Sequence, residues 1–417
     1  MRRISTAMPN TDSQYYLRRQ EEKLNNIQSK LAGNTRILEL RDDPMAASHA
    51  VRYESMLSRL RRFETNTLYA KEHYNMAHDK MYAANEILQR MRELALAGAN
   101  GTNTPENLKI MAVEVNELIK ELVDISNSRG QDAKQLFSGD KAFTEPFRTV
   151  EGTVEGGGEQ MILRVEYRGA GASRSTEITD GSYLDLDIGG GEVFWAEKMH
   201  IFSTVNATGY RVNGNGSFYI DGVEIPVTTG DTIHSIAAKI NESPAPVKAS
   251  VDMETQGLAL EGTNAHLIRM EDGAEGGLHV LEDLGIIRGN PENNAPNWSN
   301  QARVYGGSVF DMAIRLRDAL LRGDQDFIGS QGLGGMDLAL GNLGLRMAQV
   351  GSRAERAEMA WTRLNQEIPD VSAALGRESY LDYAEAATEL AMMDFVHRAA
   401  LQTAARIIPP TLLDFLR

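Results

Sequence analysis

The chain has 417 residues, a formal net charge of −15 and no cysteine. Without cysteine it can form no disulfide, no thiolate metal site and no cysteine nucleophile. The acidic balance argues against a nucleic-acid partner, because binding to a phosphate backbone requires clustered Lys and Arg. The length is sufficient for two or three domains with a buried core.

The charge is unevenly distributed along the chain. Residues 140–310 contain 25 Asp and Glu against 12 Lys and Arg, whereas the two flanks contain 33 against 31. This difference predicts flanks that pack against protein and an acidic middle that faces water. No apolar stretch approaches the roughly 18 residues of a membrane span, and no apolar core follows the first arginines, so we expect neither membrane insertion nor a cleaved signal peptide.

Helical periodicity dominates the first 130 residues. Apolar residues at steps of three and four predict a first helix that ends near Gly33, with a seam of Leu17, Leu24, Ile27 and Leu31. Asp43 and Pro44 predict the start of a second helix, which ends near Gly98. Its regular seam, in which Thr67 is the only polar member, includes Leu60, Phe63 and Leu88. Thr104 and Pro105 predict the start of a third helix.

The C-terminal flank shows the same periodicity. A seam from Leu340 to Leu375 includes Met347, Val350, Trp361 and Leu364. Pro369 lies inside this seam and is expected to kink or break the helix, because proline lacks a backbone donor. A last helix is predicted from about Tyr380 to Ile408, with Leu390, Met393 and Ile407 in its seam and Pro409-Pro410 at its end.

The two flanks are expected to pack against each other, because an apolar stripe on a helix requires a facing stripe. The predicted fold class is therefore α+β, with a long antiparallel helical bundle or coiled coil formed by the N- and C-terminal flanks and a β-rich central insertion. Two unrelated helical domains are the alternative.

The centre of the chain has the patterns of β-structure. Alternating apolar residues predict strands within Val154–Tyr167 and Tyr183–Trp195. Asp221-Gly222 predicts a tight hairpin turn, and a short amphipathic helix capped by Asp231 should follow at 232–241. With strands near 247–251 and 258–260, this region is interpreted as a ββαββ unit. Residues 290–300, rich in Asn and Pro, are predicted to form a linker.

Candidate catalytic and metal-binding groups are few. His73 and His78 are five residues apart on a predicted helix and do not share a face, so we expect no metal site there. Gly189-Gly190-Gly191 lacks the Lys and Ser/Thr of a phosphate loop and is predicted to be a turn. Asp185 and Asp187 alternate along a predicted strand, but the sequence places no third catalytic group beside them. We therefore predict no catalytic residue, no cofactor and no metal.

Motifs at opposite ends of the chain resemble the hallmarks of the flagellin superfamily. The N-terminal motif comprises residues 88–95 (Leu-Gln-Arg-Met-Arg-Glu-Leu-Ala) and 99–102 (Ala-Asn-Gly-Thr). The C-terminal motif comprises residues 382–386, 388–390 and 412–416. Within the superfamily, the finer motifs are similar to those of the hook–filament junction family, the third hook-associated proteins. These motifs are residues 3–6, 42–47, 136–139, 144–147 and 309–311.

The resemblance implies structural work rather than enzymatic activity. It implies terminal coiled-coil segments (1–42 and 378–417) that are disordered in the monomer and order on assembly. A helical bundle domain (43–139 and 305–377) and an acidic outer domain (140–304) would complete the chain. The protein would be exported through the flagellar type III system, and an export chaperone would assist it.

The expected partners follow from the same resemblance. Copies of the chain would form a ring, with another hook-associated protein on the hook side and flagellin on the filament side. The expected location is the bacterial flagellum, which is extracellular, or periplasmic in bacteria with internal flagella. A flagellin-type filament subunit is the main alternative, and a flagellin-like protein with an enzymatic central insert is a distant one.

Overall fold

The computed structural model describes residues 8–130, 132–154, 157, 160–170, 174–273, 278–290 and 297–407. The chain divides into two compact units. The smaller unit consists of Met1–Thr65 with Thr362–Arg417, and the larger unit is Asn66–Trp361. The predicted three-part division of the chain stays a prediction. No helix among the described ranges is both long and apolar enough to cross a membrane.

Long helices lie at both ends of the chain, and short ones lie between them. They are α1 (Met8–Gly33), α2 (Pro44–Gly98), α3 (Pro105–Ser126), α4 (Gly190–Val193), α5 (Ile233–Glu242), α6 (Val280–Asp283), α7 (Val309–Arg322), α8 (Gln325–Phe327), α9 (Leu333–Ser379) and α10 (Tyr383–Ile407). A single π-helical turn, Ile328–Gly332, joins α8 to α9.

The strands form small antiparallel sheets in the larger unit. They are β1 (Phe147–Thr153), β2 (Gln160–Tyr167), β3 (Ser175–Thr179), β4 (Ser182–Asp185), β5 (His200–Ser203), β6 (Gly216–Ile220), β7 (Val223–Val227), β8 (Val247–Val251), β9 (Leu258–Gly262), β10 (Met270–Asp272) and β11 (Ala302–Tyr305). Strand orders are β1-β2, β3-β4, β10-β6-β7 and β11-β5-β9-β8. The predicted α+β class, with helical ends and a β-rich middle, is confirmed.

Local sequence signals explain several element boundaries. The Asp43 carboxylate accepts a hydrogen bond from the Ala46 backbone N–H at 3.0 Å, which satisfies one of the unpaired donors at the start of α2. The Thr104 hydroxyl caps α3 in the same way. In the hairpin between β6 and β7, Asp221 and Gly222 both adopt positive φ angles, 50° and 78°, as the sequence predicts.

Of the kink or break expected at Pro369, the break is wrong, because α9 continues through this proline to Ser379. Proline costs the helix one backbone hydrogen bond. The next turns of α9 nevertheless stay helical, since Val371 and Leu375 pack in the apolar cluster of the smaller unit. Side-chain burial on both sides of the proline thus outweighs the lost bond.

Three predictions for the centre need correction. Within the predicted strand region 183–195, only Tyr183–Asp185 lies in a strand, β4, and Gly190-Gly191 begin the short helix α4 instead of a turn. The predicted ββαββ unit has the right element order, but its two hairpins belong to different sheets. Thr232, not Asp231, is the N-cap of α5. Residues 291–296 of the predicted linker and Pro409-Pro410 lie outside the described residues.

The core of the larger unit joins its helices to its sheets. Four phenylalanines from four segments pack edge to face or tilted, with ring centroids 5.0 to 5.9 Å apart. They are Phe137, Phe147, Phe194 and Phe310. Aromatic pairs in such geometries stabilise a core beyond the area that they bury.

Candidate functional site

The candidate site is the set of apolar helix faces in the smaller unit. Here α1 packs against α10, and the Tyr383 hydroxyl donates a hydrogen bond to the Leu31 carbonyl at 2.9 Å. The predicted seam residues of α1 lie along this helix: Ile27 is buried, and Leu17, Leu24 and Leu31 are half-buried. On α10, Leu390 and Met393 are half-buried, whereas the side chain of Ile407 lies outside the described residues.

Arg36 connects the segment between α1 and α2 to the end of α9 by hydrogen bonds. Its backbone N–H donates to the Ser379 carbonyl at 2.8 Å, and its guanidinium donates to the Glu378 carbonyl at 2.9 Å. The same guanidinium contacts the Asp43 carboxylate at 3.2 Å. Backbone hydrogen bonding from Ala46, with the Arg36 charge, lowers the pKa of Asp43. One side chain thus couples a helix cap to a segment more than 300 residues away along the chain.

The seam pairing predicted for the two flanks is present in the smaller unit. Leu60 and Phe63 of α2 share one apolar cluster with Leu364 of α9. Ala50, Leu57, Val371 and Leu375 complete its buried members. Because residues from the two flanks bury each other's surface here, neither helix face would be satisfied alone.

The remaining seam residues belong to the larger unit. Leu88 and Val350 are buried in its core, and Met347 packs against that core from a half-buried position. Trp361 is half-buried, with the Lys71 ammonium 4.4 Å from its ring centroid in a cation–π contact. The seam residues therefore form two groups, one in each unit, and the role in assembly predicted for all of them stays a prediction.

The terminal helices expose large apolar side chains. Tyr15 and Tyr16 of α1 are 62% and 64% exposed, and Met392 and Phe395 of α10 are 69% and 74% exposed. Among the described side chains of α1 and α10, only Ile27 and Ala386 are buried. Several large apolar side chains left open to water on one pair of helices are typical of a surface that binds another protein.

Sequence reasoning missed the buried polar groups. Arg317 of α7 has no exposed surface and donates hydrogen bonds to the Asn116 side chain at 3.1 Å and to the Ile162 carbonyl at 2.8 Å. Its other nitrogens contact the Asp318 carboxylate. The available signal is an arginine on the apolar face of an amphipathic helix, which must find partners when buried.

One group of described side chains could hold a metal ion by proximity alone. The ligand atoms of Asp272, His279 and Glu282 lie within 4.8 Å of one another. Burial raises the pKa of Asp272, yet its carboxylate already accepts hydrogen bonds from the Leu281 and Glu282 backbone N–H groups. These bonds give it a structural role at the start of α6.

Comparisons with known proteins agree with the N-terminal motif. Residues 4–142 match the bacterial flagellin N-terminal helical region, and residues 211–264 match the flagellin hook IN motif. The chain is 26% identical to polar flagellin C of Vibrio parahaemolyticus, over 60% of this chain and 62% of that protein. It is 24% identical to flagellar hook-associated protein 3 of Escherichia coli, over 36% of this chain and 45% of that protein.

Each of these two alignments covers less than two thirds of the relative's length. Among solved structures, the chain is similar to the flagellar hook-associated protein 3 of Legionella pneumophila, with 17% identity and a TM-score of 0.45. That alignment covers 78% of this chain and 97% of the solved one. The resemblance to the flagellin superfamily is confirmed, and the chain is similar to flagellins and to hook-associated protein 3.

Proposed function

We propose that this protein is a structural subunit of the bacterial flagellum that forms an adaptor ring between the hook and the flagellin filament. The observation that carries the proposal is the pair of terminal helices, α1 and α10, which expose large apolar side chains. Of the two, α1 lies in the region that matches the flagellin N-terminal helical region. Such a surface gains most of its burial only when further subunits cover it.

The motif set supports the junction over the filament. The opening residues 3–6 and the motif at 42–47 resemble those of hook-associated protein 3, which is also among the relatives. In this role the ring contacts another hook-associated protein on one side and flagellin on the other. The acidic central segment then faces outward, where its charge keeps the exposed surface soluble.

Assembly and folding of the terminal segments are coupled in this proposal. Residues 1–42 and 378–417 order fully when neighbouring subunits cover their apolar faces, which offsets the conformational entropy lost on ordering. Export through the type III system requires an unfolded chain, and the lack of cysteine is compatible with repeated unfolding. An export chaperone would cover the same apolar faces before assembly.

A filament subunit is the second candidate. It is favoured by one observation: the alignment to a polar flagellin covers more of this chain than the alignment to hook-associated protein 3, 60% against 36%. The two roles differ in the number of copies required and in what is lost when the protein is absent.

Electron microscopy of a strain lacking the gene separates the two roles, with flagellin assayed in the surrounding fluid. The junction role predicts hooks without filaments and soluble flagellin in the fluid. Hooks with no flagellin anywhere would instead identify the chain as the filament subunit. Normal filaments would contradict both. Complementation with the wild-type gene is the control, and complementation with a Phe395→Asp variant tests the exposed apolar face.

A further inference from the structure

A cavity of about 300 Å³ lies in the larger unit, between α9 and the loops around the β-hairpins. Its wall includes Tyr167, the segment 185–193, Asp221, the segment 266–269, and the side chains of Arg346 and Arg353. This size is at the lower end of small-molecule sites in proteins. The flagellar role proposed above makes no use of this cavity.

Three guanidinium groups line this cavity. Arg346 and Arg353 are two helical turns apart on α9, so they share a face of the helix. Arg269 comes from the segment before β10, and its guanidinium lies 5.5 Å from the Tyr167 ring centroid. This guanidinium donates a hydrogen bond to the Gly169 carbonyl, a neutral acceptor.

The arginines have hydrogen-bonding capacity to spare. Arg346 is only 9% exposed, and its Nε is buried without any hydrogen-bond partner. A buried guanidinium donor without an acceptor costs free energy that a bound acceptor would recover. Within the part of the chain that the structure describes, no carboxylate lies within ion-pair distance of Arg269 or Arg353.

Three of the four acidic residues that line the cavity already have a hydrogen-bond partner. Both oxygens of the Asp187 carboxylate accept hydrogen bonds from Arg174. The Asp221 carboxylate accepts from the Arg269 backbone N–H at 2.9 Å and lies 3.1 Å from the His266 imidazole. Glu192 contacts Arg346 Nη1 at 2.9 Å. Asp185 is exposed, so water weakens its repulsion of an anion without abolishing it. Four carboxylates and three guanidinium groups line the cavity, but among the described residues Arg269 and Arg353 have no carboxylate partner, so both can donate to a bound anion.

We propose that this cavity binds a small oxyanion, of the phosphate or carboxylate class, between the guanidinium groups of Arg269, Arg346 and Arg353. Guanidinium groups match such anions in charge and geometry and bind them by charge-assisted hydrogen bonds. The Arg346 Nε supplies a donor that no protein group satisfies. The proposal does not depend on the flagellar role, so either can fail without the other.

Isothermal titration of the full-length protein with inorganic phosphate, and separately with succinate, tests the proposal at constant ionic strength in chloride. Saturable one-site binding of either anion is the expected result. Arg353→Gln should weaken that binding about tenfold, the equivalent of one charge-assisted hydrogen bond. Arg356→Gln is the matched control, because Arg356 lies on the same helix but contacts Ser182 and does not line the cavity.

A variant that should bind anions more tightly is also needed, because a loss of binding could result from misfolding alone. Asp185→Asn removes the one unengaged carboxylate of the cavity wall and should tighten anion binding about threefold, by reducing electrostatic repulsion. The absence of saturable binding of both anions at about 10 mM would overturn the proposal, because such affinity is no better than non-specific association. Equal binding by the wild type and Arg353→Gln would also overturn it.

Discussion

The two compact units bury the same sequence pattern to different degrees. In the larger unit, the α2 side chains of Tyr74, Met81 and Leu88 have no exposed surface. In the smaller unit, α1 and α10 bury only Ile27 and Ala386 among their described side chains, although their apolar residues follow the same spacing. Periodicity therefore identifies the apolar face of a helix but not whether the monomer supplies its partner.

This difference indicates that the larger unit serves folding and that the smaller unit serves assembly. The larger unit has a continuous core that links helices to sheets and stabilises itself. The smaller unit depends on one modest cluster, centred on Leu60, Phe63 and Leu364, and leaves the outer faces of its terminal helices open. Substitutions should therefore separate folding from assembly when they are placed in one region or the other.

The largest expected effect comes from charging the shared cluster. Leu364→Asp or Leu60→Asp places a carboxylate among apolar side chains without a partner, which should cost about 3–5 kcal/mol of unfolding free energy. Urea unfolding followed by circular dichroism measures this loss. Met392→Asp, at an exposed position of the same unit, is the matched control and should leave the curve almost unchanged. Unchanged unfolding of both leucine variants would refute the pairing of the flanks.

A smaller loss is expected from the buried arginine of the larger unit. Arg317→Met leaves the Asn116 side chain and the Ile162 carbonyl without their donor, which should cost about 2–3 kcal/mol. Arg315→Met lies on the exposed face of the same helix and should have little effect. Equal unfolding midpoints for the two variants would show that the internal hydrogen bonds contribute nothing to this core.

The third prediction concerns pH. Burial alone would lower the pKa of His266, but its hydrogen bond and ion pair with Asp221 outweigh burial and raise the pKa above 6.5. The folded chain thus holds this proton more tightly than the unfolded chain. The stabilisation is fully present below pH 6.5 and is lost as the pH rises through the raised value.

Melting temperatures of the wild type and His266→Gln, measured from below pH 6.5 to above the raised pKa of His266, test whether this stabilisation decreases with pH. The wild type should melt at a higher temperature than the variant at low pH, and this difference should shrink as the pH rises. An advantage that is constant with pH, or that grows, would show that His266 is not protonated in the folded chain.

Substitutions in the terminal helices should have the smallest effect on monomer stability. They should have the largest effect on assembly. Phe395→Asp changes a side chain that is 74% exposed, so the monomer should unfold as the wild type does. In the assembled structure the new charge would be buried against a neighbour and block association. Complementation of the deletion strain, followed by a motility assay, measures this loss. Normal motility of the Phe395→Asp strain would show that the apolar face of α10 is not part of the assembly surface.

The sequence was sufficient for the long helices and the hairpin because their signals are local. Asp43-Pro44 begins α2, and Asp221-Gly222 supplies the two positive φ angles of the turn between β6 and β7. The helix break predicted at Pro369 is wrong. Proline is unfavourable inside a helix, but the packing of Val371 and Leu375 outweighs this preference.

The candidate sites could be predicted less completely than the helices. The shared cluster of Leu60 and Leu364 followed from matching two stripes, but the Arg36 clamp depends on a loop geometry that no periodicity encodes. Arg317 and the arginine-lined cavity depend on contacts between segments as many as 201 residues apart, and those contacts exist only in the folded chain.

The most direct test of this account is hydrogen–deuterium exchange on the monomer and on the assembled structure. We predict slow exchange in the monomer for the central part of α2 and for α3, and fast exchange for α1 and α10, which become protected only on assembly. Equal protection of α1 and α10 in both states would contradict the claim that the terminal helices are completed by neighbouring subunits.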